Sequence, residues 1–176
     1  MRGPADRPAP APPSASAALT WETFTEGLAQ TLARLRGQEF LILEVVDGGY
    51  VQFAGDPEQL HAEAISLQYI EGAAALATDA RLLAAVRSEM GELGWQLPTE
   101  LPPELIPEGE PYEGSPNYTM QWTLPIAFKE AARCAVATLR RAYGAATPAS
   151  LRYIAFANDP YPSPSFPELQ IPRIYR

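Results

Sequence analysis

Residues Glu39 to Ile70 read EFLILEVVDGGYVQFAGDPEQLHAEAISLQYI, and the fold is decided here. Glu39 to Val46 is rich in β-branched and aromatic residues, and Asp47-Gly48-Gly49 is a turn signal. Tyr50-Val51-Gln52-Phe53-Ala54 follows as a second strand, closed by Gly55-Asp56-Pro57. From Leu60 to Ile70 the residues alternate, with His61, Glu63, Ile65, Leu67 and Tyr69 on one face. Leu60, Ala62, Ala64, Ser66, Gln68 and Ile70 take the other. Turns this short force antiparallel neighbours, so the stretch is a three-stranded meander. One face should take helices and the other should meet water or a partner.

Helical patterns flank the meander. Trp21, Phe24, Leu28, Leu32 and Leu35 recur at three- and four-residue spacing, after Thr20 as N-cap and before Gly37 as the stop. Thr78 opens a second helix on Leu82, Leu83, Val86, Met90 and Leu93, which ends at Gly94 with Trp95 folding back over it. Tyr118 to Leu124 forms a short strand. Pro125 suits the first turn of a third helix along Phe128, Ala132, Ala135, Val136, Leu139 and Tyr143, ended by Gly144. Leu151 to Phe156 makes the last strand. The fold class is α+β: the meander is extended by one or two strands and packed by three helices.

The remaining segments are proline-rich. Residues 1 to 19 form a Pro/Ala-rich tail expected to be disordered, and residues 20 to 157 form the domain. Inside it, residues 96 to 116 hold six prolines and five glutamates and should make a long acidic loop. Residues 158 to 176 carry five more prolines and should be extended, trailing or lying along the surface.

Composition narrows the functional classes. The 176 residues are 47% hydrophobic, which suits one domain with a real core. The formal net charge is -8, and Lys129 is the only lysine. A phosphate-tracking surface needs clustered cations, so direct nucleic-acid binding is not expected. Lys129, Arg133, Arg140, Arg141 and Arg152 gather on and beyond the third helix, most simply as its solvated face. Cys134 stands alone, which excludes an internal disulfide and a cysteine metal site. No apolar run approaches the roughly 20 residues of a membrane span, so no membrane partner is expected and the default is a cytoplasmic protein.

No catalytic constellation of any specificity is present. There is no Gly-x-Ser-x-Gly elbow and no glycine-rich phosphate loop, and His61 is the single histidine. His61 and Glu63 share a strand face, with Glu44 on a neighbouring strand, and a histidine with two carboxylates could hold a metal. The plainer reading is a solvated polar strand face with cross-strand pairing. No cofactor is called for. The partner-binding candidates are the aromatics Trp21, Phe53, Tyr69 and Trp95, which around a sheet can anchor a peptide or a second subunit, together with the meander residues Gln52 and Glu63. Each could equally close an edge of the core.

Four stretches carry a resemblance in their order and spacing. They are Tyr50-Val51-Gln52-Phe53, Leu60 to Ser66, Leu93-Gly94-Trp95-Gln96-Leu97-Pro98, and Thr138 to Gly144 followed by Pro148. Together they resemble the YbjN-like and TY-Chap proteins, whose fold is that of type III secretion chaperones, over about residues 20 to 157. The resemblance implies a curved antiparallel sheet with helices packed on it. It also implies non-enzymatic binding of extended protein segments, commonly as a homodimer. The rivals are a small metal-dependent enzyme built on His61, Glu63 and Glu44, and a purely structural dimerisation subunit.

Overall fold

The computed structural model describes residues 18–66, 80–99 and 114–175. The third strand, expected to reach Ile70, ends at Ala64, and Ile65 and Ser66 already leave it. Residues 67–70 with Tyr69, the Thr78 cap, the loop over 100–113 and the tail over 1–17 lie outside the described residues.

Helix α1 spans Trp21–Arg34, and the Thr20 hydroxyl accepts a hydrogen bond from the Thr23 N–H at 3.2 Å. Its apolar stripe is fully buried at Phe24, Leu28 and Leu32. The helix ends at Leu35, whose extended backbone (φ -65°, ψ 117°) stops it two residues before Gly37. The left-handed position that follows falls on Gln38 (φ 72°) rather than on that glycine.

Strands β1 (Glu39–Val45), β2 (Tyr50–Gly55) and β3 (Gln59–Ala64) form the meander. In the β1–β2 turn the positive φ is carried by Asp47 (58°). Gly49 is needed for a different reason: a Cβ there would sit 2.7 Å from the Tyr143 ring. With β4 (Tyr118–Thr123) and β5 (Leu151–Ala157) the sheet has five strands, ordered β4-β3-β2-β1-β5. Every neighbouring pair is antiparallel. The last two strands therefore add to opposite edges of the meander.

Register assigns the faces. Ala155, Leu41, Phe53, Ala62 and Met120 lie side by side across the sheet, as do Tyr153, Leu43, Val51, Ala64 and Tyr118. These inner rows meet the helices and supply most of the core. Helix α2 spans Ala80–Glu92 and buries Val86 and Met90. Gly94 (φ 88°) turns the chain so that Trp95 folds back, 4% exposed, with its Nε1–H donated to the Thr138 Oγ1 at 2.9 Å.

Helix α3 spans Phe128–Ala137, starting three residues after Pro125, and packs against α1. Pro125 thus stands ahead of the helix rather than in its first turn. At Thr138–Ala142 the helix widens into a π turn, and the Tyr143 N–H donates to the Thr138 carbonyl. Gly144 (φ 72°) then ends the helix, with the Ala145 N–H returning to the Leu139 carbonyl. The Tyr143 hydroxyl donates to the Ile65 carbonyl at 2.7 Å, which ties the end of α3 to the end of β3.

Two proline-rich stretches are more ordered than their composition implies. Gln96 and Thr119 exchange backbone hydrogen bonds beside β4, and the Thr99 N–H donates to the Ser115 carbonyl. Residues 96 and 99 keep the donors that their proline neighbours lack, so the described ends of the acidic loop pair with each other. Beyond β5 the chain lies along the surface and also enters the core, burying Phe166, Leu169 and Ile171 at 2%, 0% and 8% exposure. A short 3-10 turn at Pro167–Leu169 presses on α1 so closely that a Cβ on Gly27 would strike the Glu168 carbonyl.

Candidate functional site

The outer face of the sheet carries no helix among the described elements. Two rows cross it: Phe156, Phe40, Ala54, His61 and Gln121, then Ile154, Ile42, Gln52, Glu63 and Thr119. The face is therefore graded: apolar at Phe40, Ile42, Ile154 and Phe156 of β1 and β5, where the next positions along the strands hold the Glu44–Arg152 ion pair, and polar over β3 and β4. Phe40 and Phe156 stack at 4.8 Å with their rings 12° apart, and Phe156 is 38% exposed. Phe40 and Ile42 are half-buried and Ile154 is buried, so the apolar surface that water wets poorly centres on Phe156.

The polar end is built around Glu63. Gln52 donates to Glu63 Oε2 at 3.0 Å and Asn117 donates to the same oxygen at 3.2 Å. His61 Nε2 lies 3.5 Å from Glu63 Oε1. The hydrogen bond with His61 above all, with help from Asn117 and Gln52, holds the Glu63 carboxyl below its ordinary range despite partial burial. This fixes a carboxylate at the centre of the β2–β3 strip, where it can orient a donor such as a backbone N–H or a basic side chain.

The three residues considered for a metal are not brought together. Glu44 lies on β1 beyond β2 and accepts from Arg152 Nη2 at 3.0 Å and Nε at 3.2 Å. No group of three or more His, Cys, Asp or Glu that could hold a metal ion occurs among the described residues. Cys134 is no better placed for chemistry, since burial pushes its thiol up to about 11.

The remaining candidates divide. Phe53 is 1% exposed on the inner face and Trp95 is equally enclosed by the core, so neither offers a surface to a partner. Both are large aromatics on the side that the helices cover. Trp21 is half-buried at the start of α1, with Arg140 5.3 Å above its ring. Two other arginines of that cluster are also engaged, Arg141 with Glu89 and Glu92 and Arg152 with Glu44. Among the five candidates that are described, Gln52 and Glu63 alone share the outer face in direct contact. A second concavity, a groove of about 680 Å³, lies between α1 and α3, with Ala29, Ala33, Ile126 and Phe128 among its walls.

The apolar half of the outer face, Phe40, Ile42, Ile154 and Phe156, was absent from the sequence-derived candidates. Its signal is the unbroken run Phe40-Leu41-Ile42-Leu43, which is apolar on both faces of one strand. Such a run marks a strand covered on both sides. Asn117 has no signal of its own, because only the return of β4 to β3 brings it to Glu63.

A family model described as "T3SS (YopN, CesT) and YbjN peptide-binding chaperone 3", TY-Chap3, matches residues 14–157. No curated protein matches the chain, and no solved structure does.

Proposed function

The chain belongs to this TY-Chap3 family of peptide-binding chaperones, and from that premise we propose that it holds an extended segment of a partner protein on the outer face of its sheet, without catalysing a reaction. The observation that carries the reading is the graded face itself. The Phe40, Ile42 and Phe156 end supplies apolar anchors, and the Gln52–Glu63 strip supplies hydrogen-bonding groups for backbone or basic side chains. An extended segment suits such a surface because its side chains alternate, half of them facing the sheet. The reading includes a homodimer and a cytoplasmic setting, with no nucleic acid or membrane as partner.

Site-specific cross-linking tests it. A photoreactive side chain at Ala54, central on the outer face, should capture the client, while one at Glu26, beside the α1–α3 groove, should not. Capture from Glu26 alone would move the site to the helices and sink the sheet-face reading.

A further inference from the structure

The end of the described chain already lies on the sheet as an extended segment. Pro172 and Ile174 bracket Tyr153 of β5: the Tyr153 N–H donates to the Pro172 carbonyl and the Ile174 N–H to the Tyr153 carbonyl, each at 2.9 Å. Arg173 pairs with Tyr153 in a parallel bridge, and its guanidinium donates to the Ala155 carbonyl at 3.0 Å. Ile174 and Tyr175 then share a cavity of about 230 Å³ with Ile42, Ile154 and Phe156. The tail thus passes from the helix side, around the β5 edge, to the apolar end of the outer face.

This seat is held unevenly. Up to Ile171 the tail is anchored by three buried side chains. Beyond it, Tyr175 is 79% exposed, with the Arg173 guanidinium 4.6 Å from its ring, and Arg173 Nε is buried without a protein hydrogen-bond partner. A buried donor left unmade counts against the docked state, and an exposed aromatic contributes little burial to it.

We propose that the β5 edge, with Ile42, Ile154 and Phe156, is the docking track for a client segment of the tail's own chemistry: extended, with an aliphatic residue, a basic residue, an aliphatic residue and an aromatic in succession. Pro172–Tyr175 is then an internal competitor that lifts off when the client arrives. The inference rests on the peptide-binding reading and specifies which end of the face it uses. The β4 edge is the alternative track, since the outward-facing backbone of Gln121 and Thr123 lies beyond the Gln96 bridge; its outer-face neighbours Thr119, His61 and Glu63 are polar, and the exposed Leu97 and Leu124 lie next to that edge but outside the strand.

The test uses a fluorescent peptide, IPRIYR, copied from Ile171 to Arg176. A chain ending at Ile171 should bind it at least about tenfold more tightly than the full chain, because a strap that is open in about a tenth of molecules or fewer lowers the apparent affinity by that fraction. Adding Phe156→Asp to the shortened chain should abolish binding, whereas Gln121→Pro, which blocks the open stretch of β4 without removing a ladder bond, should not. Equal binding by the full and shortened chains overturns the proposal, as does no binding by a shortened chain that circular dichroism shows to be folded. Loss with Gln121→Pro but not with Phe156→Asp would assign the client to β4 and leave the peptide-binding reading standing. A full-chain dimer that becomes a monomer on shortening would assign the tail to exchange between copies, again overturning it. Should the shortened chain not fold, Ile174→Asp in the full chain carries the same expectations. In the unaltered chain the Ile174 amide should exchange with solvent at least about tenfold faster than that of Leu169, and equal protection also overturns the proposal.

Discussion

Glu63 is the residue at which electrostatics and site geometry meet. Its folded carboxyl titrates below the ordinary 4.5, chiefly through His61. A depressed carboxyl stabilises the fold while it is ionised, so its contribution is complete above the ordinary value. That contribution disappears as the pH falls through the folded value. Thermal unfolding followed from pH 6 down to about pH 3 should therefore show a steeper loss for the native chain than for Glu63→Gln. Parallel curves would refute the pairing. The buried aromatics make the opposite case. Phe53→Ala should cost about 3–5 kcal/mol by leaving a cavity, while the folded fraction keeps its client affinity. Trp95→Phe should cost about 1 kcal/mol, the worth of one hydrogen bond to Thr138. Denaturant titration reads both, and a specific loss of binding in either variant would return these rings to the partner surface.

At the scale of elements, the decisive contacts join segments far apart in sequence. The π turn at Thr138–Ala142 lies where Trp95, from the end of α2, reaches the Thr138 hydroxyl, which itself donates to the Cys134 carbonyl. The 3-10 turn at Pro167–Leu169 lies on α1 because Gly27 leaves room for the Glu168 carbonyl, with Arg34 holding the Glu168 carboxylate at 2.8 Å. Gly27→Ala keeps helix propensity but should force that turn away, destabilising the chain by about 1–3 kcal/mol. Hydrogen exchange would show it as lost protection at Leu169 with α1 and the meander unchanged. Protection equal to that of the native chain would mean that the turn does not depend on this close approach.

At the scale of the molecule, a net charge of -8 and a face uncovered by helices set what the chain can meet. As part of the proposed function, sedimentation at micromolar concentration should find a dimer; a monomer would remove that element and leave peptide binding intact. The chain should likewise pass through immobilised DNA at low salt, where any phosphate contact would be strongest.

How far the sequence reaches is clearest from single residues. Short turns and strict alternation placed Gln52 and Glu63 on one strand face, because a two-residue period needs no tertiary information. The stripe of α1 and the cap at Thr20 were equally local, as was the absence of a nucleophile motif. The sequence did not reveal which sheet face the helices would cover, so Phe53 and Trp95 looked like anchors although they serve the core. Nor did it show that β4 and β5 close on opposite edges, which is what brings Asn117 to Glu63 and stacks Phe156 on Phe40. Local periodicity determined the strands and the helices. The tertiary structure alone decided which sheet face stays open for the proposed binding and where the C-terminal strap sits, since these depend on contacts between separate segments, Phe40 with Phe156, Glu63 with Asn117 and Tyr153 with Arg173, which no local pattern encodes.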